Sequence, residues 1–255
     1  MIVKDETYNN KVVWIIGASS GIGAALAKEL GSRGAIILLS ARRVQELEKL
    51  KNSFSINTTE IFPLDVCNSE AVMKTAKTIH TKFGRIDSII FLAASYKPMK
   101  IDLLDISDVR QMIEINLLGA FHVIHAVIPL LKMQSYGQIA LCGSVAGYIG
   151  LPGGQPYSST KAGIINLAES IRSELPQTID VKIINPGFVK TDLTAKNNFY
   201  MPMIITPEEA ATYIADGLLR KSFEIHFPKK FTFFLKLIKI LPYALSIKIT
   251  TLFNL

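Results

Sequence analysis

Only two cysteines, Cys67 and Cys142, occur in 255 residues, and they stand in different apolar surroundings with no CxxC pair and no Cys/His cluster. That excludes a disulfide framework and a structural zinc site, and it fits a reducing compartment. Charge is sparse too, at 19% of residues against 49% apolar, the reverse of a disordered chain. No segment from residue 228 onward is long enough to span a bilayer: its longest uncharged run, 240–247, falls far short of the ~20 residues needed. The opening MIVKDETYNN has neither the apolar core of a secretory signal nor the arginine-rich character of a transit peptide, so an intracellular protein is expected. Five of the seven net positive charges come from Lys229, Lys230, Lys236, Lys239 and Lys248, in a terminal stretch without acids. The rest is close to neutral and has no grouped basic face of the kind that binds nucleic acid.

What is present is an alternation of short apolar runs with helical patterns between residues 10 and 228, with no repeat and no low-complexity linker. Residues 12–16 form a buried-strand run, and Ile22, Leu26 and Leu30 then recur as on the inner face of a helix. A second strand is expected at 35–40, followed by a helix marked by Leu47, Leu50 and Phe54. A strand near Ile61, a helix around Val72, Ala76 and Ile79, and a strand at 88–92 come next. A long apolar helix is expected at about 109–133, with further strands at 138–142, 181–184 and 223–227. Thr206-Pro207-Glu208-Glu209 combines a capping box with proline at the first helical position. The expectation is a three-layer, doubly wound α/β fold with a mostly parallel seven-stranded sheet, binding its ligand beyond the carboxyl ends of the strands. Residues 1–228 form one domain in this reading, and 229–255 a basic, apolar helical extension.

Gly17-Ala18-Ser19-Ser20-Gly21-Ile22-Gly23 follows a strand and opens a helix, so backbone can approach a pyrophosphate and the helix N-terminus can face its charge. The stretch lacks the Gly-Lys-Ser/Thr ending of a nucleotide-hydrolysing loop. Where an acid would bind a ribose 2′-hydroxyl, the second strand ends in Ser40-Ala41-Arg42-Arg43; two guanidinium groups suit a 2′-phosphate, so NADP(H) is expected. Tyr157 and Lys161 share a helix face at i, i+4, and a nearby ammonium would lower the phenol's pKa. Ser144 lies thirteen residues upstream at the end of a strand.

Together these residues resemble the short-chain dehydrogenase/reductase family over residues 10–228. The resemblance rests on Gly17, Gly21 and Gly23, on Asp65 in Leu64-Asp65-Val66, on Asn116 in Ile115-Asn116-Leu117-Leu118-Gly119, on Ser144, Tyr157 and Lys161, and on Pro186-Gly187 with Thr191. It implies hydride transfer to a carbonyl carbon while Tyr157 protonates the developing alkoxide and Ser144 donates a hydrogen bond to the same oxygen. Lys161 would hold the cofactor ribose and depress the Tyr157 pKa, and Asn116 would position a proton-refilling water. The expected catalytic set is Asn116, Ser144, Tyr157 and Lys161. The expected cofactor contacts are Gly17, Ser19, Ser20, Gly21, Ile22, Gly23, Arg42, Arg43, Asp65, Val66, Ala93, Tyr157, Lys161, Pro186, Gly187 and Thr191; no metal is expected. A homodimer or homotetramer through the long helices is also implied.

The chain departs from the family pattern at Phe91-Leu92-Ala93-Ala94, in place of Asn-Asn-Ala-Gly, and at Ile16, in place of a threonine. An alternative follows from this: a nucleotide-binding, membrane-associated scaffold without useful turnover. His122 and His125 have no evident third ligand, so they are read as packed or surface histidines. Gly147, Gly150, Gly153 and Gly154 read as a flexible wall of the substrate pocket. In the tail, Phe231, Phe234, Leu235 and Ile238 share one helical face, broadened by Phe233, Leu237 and Ile240 and striped by Lys236 and Lys239. Such an arc sits at an anionic membrane surface or covers the pocket or a neighbouring subunit, and both remain open. A cytoplasmic protein, peripheral at the inner face of a membrane if the tail attaches, would favour a lipophilic carbonyl. Phe199, Tyr200, Met201 and Met203, in the lid region 189–205, suit such a ligand.

Overall fold

The computed structural model describes residues 8–54 and 59–252. The opening stretch up to residue 7 and the last three residues of the extension lie outside the described residues. The strands are β1 (Val12–Ile16), β2 (Ile36–Ser40), β3 (Thr59–Ile61), β4 (Ser88–Phe91), β5 (Gly137–Cys142), β6 (Ile179–Pro186) and β7 (Glu224–Phe227). They form one seven-stranded sheet in the order β3-β2-β1-β4-β5-β6-β7, with every pairing parallel. The helices are α1 (Gly21–Ser32), α2 (Val44–Asn52), α3 (Ser69–Phe83), α4 (Ile106–Ile113), α5 (Gly119–Gln134), α6 (Tyr157–Glu174), α7 (Pro207–Leu218), α8 (Lys229–Lys239) and α9 (Tyr243–Thr251).

The apolar runs are explained by burial on both sheet faces. Along β1, Val12, Trp14 and Ile16 enter one core with residues of α3, α5 and α6, while Val13 and Ile15 enter the other with residues of α1, α2 and α7. A strand covered on both sides has no reason to alternate with polar residues. Strands β2 and β3 lie to one side of β1 and β4 to the other, so a crevice opens at their carboxyl ends where the winding reverses.

Local signals set several helix ends. Asn68 caps α3, its side chain accepting from Ala71 N at 2.9 Å, and Gly84 ends that helix at φ 73°. The capping box starts α7: Glu209 N donates to Thr206 Oγ1 at 3.1 Å and Thr206 N to Glu209 Oε2 at 2.8 Å. The long helix differs from expectation. It begins at Ile106, three residues early, because Asp105 Oδ1 accepts from Ser107 N at 2.8 Å, and a π turn over Glu114–Leu118 separates α4 from α5. This run, 106–134, is long and apolar enough to cross a membrane, but Val123, Val127 and Leu131 are buried in the core.

The tail is two short helices broken before Pro242, which caps α9. Thr232, Leu235 and Ile238 of α8 are buried, the last two in the core shared with β5 and β6, and the helix packs against β7. Phe233, Leu237 and Ile240, spaced i, i+4, i+7, are exposed on the other side. The broad arc is therefore divided, one side packed on the body and the other outward.

Candidate active site

A cavity of about 470 Å³ opens at the carboxyl ends of the strands. Its floor is backbone. Gly17, at φ +95°, lies so close to β4 that a Cβ would stand 2.5 Å from Ala93 N and 2.7 Å from Leu92 C; a Cβ on Gly23 would meet Gly17 O at 2.2 Å. The turn and the start of α1 thus present main chain rather than side chains to the cleft, the surface a pyrophosphate needs. At the departure 91–94 the glycine turn packs backbone to backbone on the residues that follow β4. Gly21 brings the turn to the opposite wall, its missing Cβ 3.0 Å from Thr191 Cγ2.

Around this floor stand Ser19, Ser20, Ile22, Arg42, Arg43, Asp65, Val66, Ala93, Pro186, Gly187 and Thr191. Arg43 reaches back over the turn, donating to Ser20 Oγ at 2.6 Å and to Ser19 Oγ at 3.0 Å. Asp65 Oδ1 accepts from Cys67 N at 3.0 Å, and Gly187 N donates to Phe227 O at 2.7 Å.

Ser144, Tyr157 and Lys161 converge on the same cleft. Ser144 ends the strand run of β5 and caps a 3₁₀ turn over Val145–Gly147, its Oγ accepting from Ala146 N at 3.1 Å. That turn lies flat on α6: a Cβ on Gly147 would stand 2.7 Å from Lys161 C, and Ser158 Oγ donates to Ala146 O at 2.5 Å. Gly147 is therefore a packing glycine that draws Ser144 to Tyr157, and none of the four clustered glycines lines the cleft. Lys161 is 1% exposed, donates to Cys142 O at 2.7 Å, and lies 5.5 Å from the centre of the Tyr157 ring.

The electrostatics differ from the simple expectation. Burial raises the Tyr157 phenol above the ordinary tyrosine value, with a smaller push from Cys142, and the Ser144 hydrogen bond opposes it. Lys161 does not lead this balance: its own pKa is lowered by burial, and its ammonium is held on a main-chain carbonyl.

Asn116 does not line the cleft. It sits fully buried in the π turn, where Oδ1 accepts from Ser95 N at 2.7 Å while Nδ2 donates to Ser95 O at 2.9 Å and to Thr160 Oγ1 at 3.2 Å. Its amide anchors the chain beside Tyr96, so it cannot hold a water in the cleft with its side-chain donors. The lid residues also differ from expectation: Tyr200 is 85% exposed, Met203 is exposed, Phe199 packs on Phe188 at 5.9 Å, and neither these nor Met201 line the cleft. Tyr96, missed in the sequence, does line it. Its ring meets that of Tyr157 edge-on at 5.0 Å, and its hydroxyl donates to Asn197 Oδ1 at 2.8 Å.

A larger, shallower groove of about 760 Å³ lies outside α3 and is lined by Lys74, Lys77, Lys82 and His125, away from these groups. His122 Nδ1 lies 2.8 Å from Val66 O. Among the described residues no group of three or more His, Cys, Asp or Glu is placed to hold a metal.

Comparison with known proteins agrees with this fold. Residues 11–200 match the sequence profile of the family described as short chain dehydrogenase. An uncharacterised oxidoreductase of Myxococcus xanthus is 32% identical over 231 residues, covering 89% of this chain and 91% of its own. An uncharacterised oxidoreductase of Listeria monocytogenes is 34% identical over 224 residues, covering 82% and 90%. In structure, a short-chain dehydrogenase from Streptomyces avermitilis superposes with a TM-score of 0.78 at 22% identity, over 90% of this chain and 92% of that one, a likeness of fold. The chain belongs to the short-chain dehydrogenase family, oxidoreductases that use a nicotinamide cofactor, NAD or NADP.

Proposed function

We propose that the protein is an NADP(H)-dependent oxidoreductase that interconverts a carbonyl and a secondary alcohol, with Tyr157 as acid/base. The observation that carries this reading is the convergence of Tyr157, Ser144 and Lys161 on one cleft beside the glycine turn. The bound cofactor supplies or accepts hydride at carbon. The backbone of the turn and the start of α1 hold its pyrophosphate, in the space that a Cβ at Gly17 or Gly23 would fill. Arg42 and Arg43 offer charge-assisted bonds to a 2′-phosphate at the end of β2. Asp65, Val66, Ala93, Pro186, Gly187 and Thr191 complete the cradle.

Burial raises the Tyr157 phenol above its ordinary value, and the protonated phenol is the form that donates to a developing alkoxide. Ser144 donates to the same oxygen, and the Lys161 ammonium stands beside the ring. Asn116 acts from behind the wall by holding Ser95 and Thr160. The scaffold alternative, grounded in the altered 91–94 segment, predicts no ketone-dependent NADPH oxidation, and that measurement separates the two readings.

Tyr96, Val189 and Leu193 give the cleft an apolar part of its lining, which supports a lipophilic carbonyl. Residues 1–228 carry cofactor and catalysis in this reading, and 229–255 attach the otherwise cytoplasmic protein to the inner face of a membrane. The support is the exposed face of Phe233, Leu237 and Ile240 beside Lys229, Lys230 and Lys239. Ile113 and Phe121 leave apolar surface on the helical run 106–134 for a homodimer or homotetramer. The test is NADPH oxidation with a panel of aliphatic and aromatic ketones. Tyr157→Phe is expected to bind NADPH as wild type does and to lose about a thousandfold in kcat; full turnover in that variant overturns the assignment.

A further inference from the structure

The carboxylate of Glu224, on the edge strand β7, joins three parts of the chain that are distant in sequence. Its Oε1 accepts from the Tyr148 hydroxyl and, at 2.8 Å, from Asn185 Nδ2; its Oε2 accepts from the Lys236 ammonium of α8. Tyr148 ends the 3₁₀ turn that Ser144 caps, and Asn185 immediately precedes Pro186-Gly187. Both segments border the cleft where hydride and proton transfer are assigned. Lys236 lies 5.6 Å from the centre of the Tyr148 ring as well, so one ammonium contacts both members of the Tyr148–Glu224 pair.

α8 touches the second segment independently. Phe231 packs on Phe188 at 5.6 Å, and a Cβ on Gly187 would stand 3.0 Å from Phe231 Cδ1. The helix is itself seated, with Leu235 at 2% exposure and Thr232 Oγ1 2.6 Å from His226 Nδ1. A partly buried carboxylate that accepts from a phenol, an amide and an ammonium ties all three donors to one point, and removing the ammonium takes an ionic partner from a charge that burial disfavours. Burial opposes the ionised form of Glu224, and hydrogen bonds from Lys236, Tyr148 and Asn185 hold its pKa below the usual carboxylate value.

We infer that Lys236 and Glu224 are positioning residues that set the Ser144-to-Tyr157 loop and the Pro186-Gly187 turn against each other, which makes α8 part of the catalytic machinery. This rests on the oxidoreductase reading above for its kinetic consequence only. A misplacement of either segment by a fraction of an ångström alters the alignment of the reacting groups, and such errors are costly in rate.

The test compares full-length wild type with Lys236→Met, Lys236→Arg and Tyr148→Phe in two measurements. With NADPH and a water-soluble ketone, Lys236→Met is expected to lose about tenfold or more in kcat with the KM for NADPH within roughly twofold of wild type. Lys236→Arg is expected to recover most of that loss, and Tyr148→Phe to fall between. By hydrogen–deuterium exchange, Lys236→Met is expected to lose protection at 144–149 and 185–188 while β1 and α1 stay protected. Unchanged protection at those two segments in Lys236→Met overturns the inference. So does a kcat equal to wild type, or a loss that Lys236→Arg does not relieve. Absence of turnover in wild type with either nicotinamide cofactor counts against the reaction assigned above, and the exchange result then decides this inference by itself. Should Lys236→Met not fold, Tyr148→Phe carries both measurements, with unchanged kcat and protection as its overturning result.

Discussion

The glycine turn and α8 lie at opposite ends of the chain and both support the cleft, one as its floor and the other from behind Gly187 and Phe188, but they are built in opposite ways. The turn works by lacking side chains: Gly17 and Gly23 let main chain approach main chain at distances that admit no Cβ. The helix works through the reach of its side chains, Phe231 to Phe188 and Lys236 to Glu224. The first kind of contact tolerates no substitution that adds atoms; the second yields in steps. That contrast orders the expected effects of mutation.

The largest is expected at Gly17. An alanine there needs positive φ and puts its methyl 2.5 Å from Ala93 N, an overlap only a backbone shift relieves. Gly17→Ala is expected to lose about 3 kcal/mol or more of stability, read from the denaturant midpoint, together with NADPH binding by fluorescence titration. A midpoint equal to wild type would show that the turn is not confined by β4. Arg43 sharpens the comparison, because it is a side chain laid across the backbone-built floor. Arg43→Ala is expected to raise the KM for NADPH roughly tenfold or more and leave that for NADH unchanged; an equal change for both cofactors sinks the 2′-phosphate assignment. The smallest effect on stability is expected on the outer side of α8. Leu237→Glu with Ile240→Glu is expected to shift the midpoint by no more than about 0.5 kcal/mol while abolishing flotation with phosphatidylglycerol vesicles. Flotation equal to that of wild type would exclude attachment through this face.

The same contrast explains what was legible beforehand. Glycines at the mouth of a strand, and a tyrosine four residues before a lysine, are local patterns, so the turn and the Tyr157–Lys161 pair could be read directly. The seven strands were legible because double burial leaves continuous apolar runs. The π turn was not, since its wider winding leaves the apolar character of 106–134 intact and carries no distinctive residue. The direction in which Asn116 points depends on that turn, so its contacts with Ser95 and Thr160 could not be read beforehand. The lid residues were chosen for their chemistry, but chemistry does not say which way Tyr200 faces. The balance at Tyr157 depends on burial assembled from β5, α6 and the segment around Tyr96, which no spacing reveals. Glu224 and Lys236 are twelve residues apart and look like ordinary surface charges until β7 and α8 are in place.

The anchor of Lys161 has a wider consequence. Its ammonium rests on the carbonyl oxygen of Cys142, an atom that every amino acid supplies. Replacement of a pocket side chain such as Leu193 does not touch that anchor. The seat of that ammonium can therefore outlast a change of pocket side chains, because anchor and walls belong to different classes of atom.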